Sequence, residues 1–292
     1  MGASPDPTAK KLANGGNQTP SESMEPRVGT KGNTIRQRAR RTPSRESAAS
    51  RLDRVRERAR QKKKERFTAL LHHVNVETLR AAYLKLKKDA APGVDGVTWR
   101  EYAVDLERKL VDLHERVHRG AYRALPSRRK FILKEDGRER PLGVAAIEDK
   151  ILQRAVVEVL NAIYEEDFLG FSYGFRPGRS QHDALDALAF GIKRTSVNHV
   201  LDCDIRSFFD SVNHDWLTRF VEHRIGDPRV IRLIRKWLKA GVMDGGQWQA
   251  SETGSPQGAV ISPCLANIYL HYCFDLATAQ CLRASHLCSL RR

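Results

Sequence analysis

The sequence predicts an α/β (α+β) fold, mostly helical, with one β-hairpin and a short, incomplete sheet. Three observations carry that prediction. Apolar residues recur at helical intervals over much of residues 67–276, most clearly at Ile151, Leu152, Ala155, Val156, Val159, Leu160 and Ile163. Two short runs, Arg129 to Leu133 and Arg140 to Val144, flank the turn signal Glu135-Asp136-Gly137-Arg138, which is the pattern of a β-hairpin. His199 to Ile205 (HVLDCDI) reads as a further strand.

The elements follow in order. Residues 1–45 are rich in Gly, Ser, Pro, Asn, Thr and Arg with almost no large apolar side chains, so they cannot bury enough surface to offset ordering entropy and are expected to be disordered. From Glu46 to Arg66 the composition favours a strongly basic helix with only Leu52, Val55 and Ala59 as an apolar stripe, either solvated or in contact with RNA. The folded part is expected to begin near Phe67, with helical spacing through Leu86. PGVDG at 92–96 marks a turn, and a helix is predicted from about Trp99 to His118. After the hairpin and the buried helix at 151–163, a Gly/Pro loop spans 173–178, and Ser180 with Asp183 resembles a capping box opening a helix towards Arg194. A helix holding Trp216, Phe220 and Val221 comes next. Asp227-Pro228 starts another with Val230, Ile231, Leu233, Ile234, Trp237 and Leu238 on its apolar face. Ser262 is a candidate N-cap, with Pro263 in the first turn of a last apolar helix. Four segments result: a basic, largely disordered arm at 1–66, a mostly helical region at 67–198, a sheet-bearing region at 199–276 and a divergent tail at 277–292.

Charge is distributed unevenly. Residues 1–66 hold 18 Lys or Arg against 7 Asp or Glu, a net of +11 out of +16 for the chain. Such an excess fits a polyanionic partner, because each phosphate neutralised by a cation releases condensed counterions; a solvated tail is the plainer alternative. Four of the five cysteines crowd into the last 29 residues without a CxxC pair, so neither a zinc site nor a disulfide framework follows. No apolar run approaches the roughly 18 residues that a membrane span needs, and the first 30 residues hold no apolar leader core. No membrane partner is expected, and the expected compartment is the cytoplasm.

The chemistry-bearing stretches lie in the second half. DIRSFFD, from Asp204 to Asp210, puts a carboxylate at the end of the predicted strand, where it is fixed in space and suits a Mg²⁺ ion that prefers hard oxygen donors; a carboxylate capping the following turn is the alternative. GSPQGAVISPCLANIYL, from Gly254 to Leu270, lies ahead of an apolar helix, with Gln257 placed 53 residues after Asp204. RKFILKEDGRERPLG spans the hairpin and carries paired cations, which equally serve to protect a sheet edge from pairing. SYGFRPGRSQHDAL at 172–185 places Arg176, Arg179 and Phe175 on one loop, suited to a template phosphate or a stacked base, or to pinning two helices.

Together these stretches, over about residues 67 to 276 and in the family's order, resemble the reverse transcriptases encoded by group II introns. The resemblance implies the fingers and palm of a right-hand polymerase: fingers at 67–198 and a partial palm at 199–276. In that family the first Asp of the palm motif binds both catalytic Mg²⁺ ions, and Asp204 matches it, with Ile205 supplying a backbone carbonyl. Phe209 matches the aromatic residue that lies under the sugar and excludes a 2′-hydroxyl; the plainer reading is a core aromatic, and the two are compatible. Gln257 matches the residue lining the nucleotide pocket, and Gly258 lies in the same stretch that contacts the template. Lys134 and Arg140 match the cations that meet the triphosphate, while Arg176 and Arg179 match the signature loop. The partners implied are an RNA template or intron RNA, a DNA primer and a deoxynucleoside triphosphate.

The pattern breaks after Leu276. The family continues with a strand–turn–strand bearing Tyr-x-Asp-Asp, and this sequence holds no Asp-Asp pair. The tail 277–292 is therefore expected to arise from a frameshift or an early stop, and the chain to be an incomplete polymerase, weak or empty at its two-ion site. The alternatives are an RNA-binding, maturase-like splicing cofactor and a remnant without function.

Overall fold

A computed structural model of the chain describes residues 48–133, 137, 139–194, 197, 198, 200 and 202–280. All the described residues belong to one compact unit, 45–292.

Helix α1 (Ala48–Gln61) follows the predicted basic segment, but it is not simply solvated. Its Ala59 is fully buried, and it packs on the long helix α5 (Ile147–Tyr164). Three charged contacts fasten its end. Arg60 donates to Glu166 at 3.0 Å, Lys63 lies 3.9 Å from Asp167, and the fully buried Arg224 donates to the carbonyls of Lys62 at 2.9 Å and Ala59 at 3.4 Å. Arg224 thereby adds a donor to carbonyls at the end of the helix, where intrahelical partners run out. It also pairs with Asp167 at 2.8 Å.

The helical spacing after Phe67 becomes a 3₁₀ turn (Leu71–His73) and then α2 (Val76–Leu84), because Asn75 and Thr78 form a reciprocal capping box that starts the helix afresh. The amides of Leu70 and Leu71 turn instead to Asp227, at 2.8 and 3.0 Å. The stretch 99–118 is likewise divided, into α3 (Trp99–Ala103) and α4 (Leu106–His118), by Asp105 with φ of 58°. Strands β1 (Ser127–Leu133) and β2 (Glu139–Val144) form the predicted antiparallel hairpin, in a register from Arg128 opposite Val144 to Leu133 opposite Glu139. Helix α5 is the central post, with 13 of its 18 residues buried, and α1, α2 and α10 (Ser262–Leu270) pack around it.

Helix α6 (Gln181–Arg194) opens on the predicted Ser180–Asp183 box but buries none of its side chains; Leu185, Leu188, Phe190 and Ile192 are exposed. After the short α7 (Phe208–Ser211), α8 (His214–Arg224) and α9 (Pro228–Leu238) close the core with Leu217, Val221 and all six apolar residues predicted for α9. Two strands not foreseen from the sequence, β3 (Val242–Asp244) and β4 (Gln247–Gln249), join the hairpin in a mixed sheet of order β2-β1-β3-β4, β1 and β3 being parallel. Their turn is Gly245-Gly246, both with positive φ, which is the signal that sequence inspection passed over. No helix among the described residues is long and apolar enough to cross a membrane.

Asp227 ties the ends of this unit together. Its carboxylate accepts from Leu70, Leu71 and Arg229 amides and from the Arg229 guanidinium at 3.0–3.1 Å, and it N-caps α9. Burial pushes its carboxyl up, but these donors outweigh burial and hold it at about 2. A depressed acid stabilises the fold above its ordinary value near 4, and that contribution is lost as pH falls towards 2. Urea unfolding between pH 5 and pH 2 is expected to show an acid loss of roughly 2 kcal/mol that Asp227→Asn lacks. The same acid slope in the variant would place the linkage elsewhere.

Candidate active site

The palm stretch and the SPQG loop are held together through the backbone. The amide of Gly254 donates to Val212 O at 2.8 Å, that of Ser255 to Phe209 O at 2.7 Å, and His214 Nε2 donates to Gly254 O at 2.6 Å. Gly254 has φ of +82°, and a Cβ there would come within 2.8 Å of Phe209 O, so only glycine allows this approach. Behind it the buried Ser255 hydroxyl donates to Ser262 Oγ at 2.7 Å, which in turn donates to Pro256 O at 2.9 Å. Ser262 is therefore the first residue of α10 and a loop fastener, not its N-cap. Ile261 takes that position, its amide facing Gln153 Oε1 at 3.4 Å.

The predicted strand at 199–205 is not formed in its described part: residues 202–205 are irregular and exposed. A strand is held by its ladder, and no described segment pairs with these residues. Positions 199 and 201 lie outside the described residues.

Asp204 and Ile205 line a cavity of about 770 Å³ together with Arg140, Phe209 and Gln257. Its wall comes from β2, the loop at 172–175, the palm stretch 203–210, the SPQG loop, α10 and Asp275 beyond it. Arg140 Nε donates to Gln257 Oε1 at 2.9 Å, and the Gly143 amide donates to Gln257 O at 2.6 Å, so the hairpin grips Gln257 by both side chain and backbone. Phe208, not Phe209, packs on the core, edge-to-face with Tyr269. Phe209 stands half-buried between this cavity and a neighbouring hollow of about 580 Å³. Lys134 lies outside the described residues.

Three predicted residues are placed otherwise. Arg176 is buried, and its donors go to Glu165 at 2.9 Å and to the carbonyls of Leu169 and Ser172 at 2.9 and 2.8 Å, with its guanidinium over Phe168. A guanidinium so committed cannot meet a template phosphate; it pins the loop instead. Arg179 is half-exposed, donates to Gly170 O at 2.6 Å and lies over Tyr173. Gly258, with φ of +101°, sits against Gly143, where a Cβ would come within 3.0 Å of Gly143 O. From the loop at 172–178 it is Phe175, exposed and with φ of 55°, that reaches the cavity.

Sequence reasoning missed Asn267 and Asp275. Asn267 Nδ2 on α10 donates to Gly174 O at 2.8 Å and so positions the loop bearing Phe175. Asp275, at the end of a π-helical turn (His271–Asp275), lines the cavity with its carboxyl pushed up by burial. Its neighbour His271 is held at about 4, chiefly by burial and then by Arg176, so at pH 7 it is neutral and offers Asp275 no charge. Nothing in the local pattern marks either residue.

A Mg²⁺ ion asks for octahedral oxygen donors, commonly one or two carboxylates with phosphates and waters. Asp204 is suited to be one of them. Among the described residues, however, no three acidic, His or Cys side chains gather to hold an ion, so these residues do not by themselves make a two-ion site.

The chain is 41% identical over 196 residues to Protein YkfC of Escherichia coli strain K12, covering 65% of this chain and 51% of that protein. It is 34% identical over 224 residues to the group II intron-encoded protein LtrA of Lactococcus lactis, covering 75% of this chain and 37% of LtrA. It is 36% identical over 201 residues to a 91 kDa protein in the cob intron of Schizosaccharomyces pombe, covering 68% and 24%. The chain thus spans about half the length of the first relative and less of the others. Residues 132–289, more than half of the chain and thirteen residues beyond Leu276, match one family model; the chain belongs to the family Reverse transcriptase (RNA-dependent DNA polymerase).

Proposed function

We propose that this chain is the fingers and part of the palm of a group II intron-type reverse transcriptase, and that the cavity beside Asp204 receives the incoming deoxynucleoside triphosphate. The observation that carries this is the meeting of Arg140, Asp204, Phe209 and Gln257 in one cavity from distant stretches of chain, with Arg140 bonded to Gln257. In this reading Arg140 and Lys134 meet the triphosphate, whose charge paired cations neutralise well. Gln257 positions the nucleotide, and Phe209 bars a ribose 2′-hydroxyl. Mg²⁺ belongs to the family's chemistry, and Asp204 with the backbone carbonyl of Ile205 is the matched ligand set. Since the sequence has no Asp-Asp pair, these 292 residues alone are expected not to polymerise. Primer extension on an RNA template tests both parts. This chain should give no product, and a longer form read through the same locus into Tyr-x-Asp-Asp should give DNA. Product from this chain alone removes the claim of incompleteness, and a silent longer form removes the polymerase reading.

The basic arm favours a second reading, an intron RNA-binding splicing cofactor. Residues 1–44 hold 8 Lys or Arg against 3 Asp or Glu. Their deletion is expected to weaken RNA binding and flatten its salt dependence, by about 0.7 in slope for each single-strand phosphate that the arm no longer neutralises. Equal slopes with and without the arm would count against this reading.

A further inference from the structure

Away from the active site, α1 and residues 65–73 enclose a cleft of about 420 Å³ that shares no lining residue with the cavity beside Asp204. Arg51, Arg54, Arg58 and Arg66 line it against a single carboxylate, Glu65. Arg58 is committed to Glu65 at 2.7 Å and Arg51 pairs with Glu77 at 3.3 Å. Arg66 is exposed and has no ion pair or hydrogen bond among the described residues. The cleft is also lined by His73, which is only 8% exposed and whose Nδ1 is buried without a hydrogen-bond partner among the described residues. A buried ring nitrogen left unpaired is costly and calls for an explanation. Burial first, then His72, Arg51 and Arg54, lower His73 to about 4, so the ring is neutral at pH 7 in a field that is already positive. Forked guanidinium donors match the oxygens of a phosphate group in geometry as well as in charge.

We propose that this cleft is a phosphate-binding site, with the arginines around the oxygens and the neutral His73 ring in its wall. The phosphate comes either from an RNA phosphodiester or from free inorganic phosphate. The site stands independently of the polymerase reading, since Asp204 takes no part in it.

The test uses the full chain with ¹⁵N-labelled histidine, titrated with inorganic phosphate and, separately, with a short uridine-only RNA. His73 ring signals, identified against His73→Gln, are expected to move to saturation and to stop responding in Arg66→Gln, whose unfolding midpoint should be unchanged because Arg66 is exposed and unpaired. If the RNA moves the signal and Arg66→Gln lowers the salt slope of RNA binding by about 0.7, the ligand is a phosphodiester. If only inorganic phosphate moves it, the site takes the free ion. A His73 signal that ignores both probes, or that moves equally in Arg66→Gln, overturns the proposal. Asp204→Asn should change none of these results, which keeps the two sites separable.

Discussion

Asp204→Asn is expected to abolish DNA synthesis in a form of the protein that carries Tyr-x-Asp-Asp, while leaving its unfolding midpoint where it was. Asp204 is exposed and lines the cavity, and among the described residues no hydrogen bond or ion pair ties it to the fold. Asparagine keeps its shape and removes the charge that a divalent cation needs. A loss of at least about a thousandfold, or about 4 kcal/mol in activation free energy, is the expected size. Steady-state primer extension reads the rate, and calorimetry reads the midpoint. Undiminished synthesis would discard Asp204 as a metal ligand, and a fall in midpoint matching the loss of rate would make its role structural.

Arg224→Ala should be the most destabilising single substitution in the core, by about 3–5 kcal/mol. Alanine would leave Asp167, a carboxyl already pushed up by burial, with only the more distant Lys63 and would remove the guanidinium from the carbonyls of Ala59 and Lys62. Arg224→Met keeps much of the volume and separates packing from charge. Lysine, with one point charge, cannot serve all three acceptors. Guanidinium unfolding followed by circular dichroism gives the comparison. A cost under about 1 kcal/mol would show that α1 is held by its apolar stripe and surface pairs instead.

How far the sequence could be read depended on whether a segment was decided locally. The hairpin was legible because two short runs joined by a turn signal fall within 18 residues, although positions 135, 136 and 138 of that signal lie outside the described residues. Helices α6 and α9 were legible from Ser180 and Asp183 and from Asp227-Pro228, caps that act within one turn. Even there, Asp227 was seen only as a helix start, since its bonds to Leu70 and Leu71 span more than 150 residues. The interruption at Asp105 was hidden because helical spacing continues across it. The strand at 199–205 had the composition of a strand but no described partner, and composition supplies no partner. Within the site, Asp204 and Gln257, each prominent in its motif, do line one cavity. Arg176 had the same prominence in its motif and proved to be an internal fastener, because nothing local announces that Glu165 waits eleven residues upstream.

The contact between Arg224 and Ala59 spans 165 residues, which also sets an order in time. At about 5–20 residues added per second, α1 emerges roughly 8 to 30 s before the residue that anchors it has been made. A helix of 14 residues is marginal without tertiary support. During synthesis, then, this stretch is a polycation that can be held by α5, Glu166 and Asp167 before its Arg224 anchor exists, and its attachment is complete only when the chain has grown past Arg224.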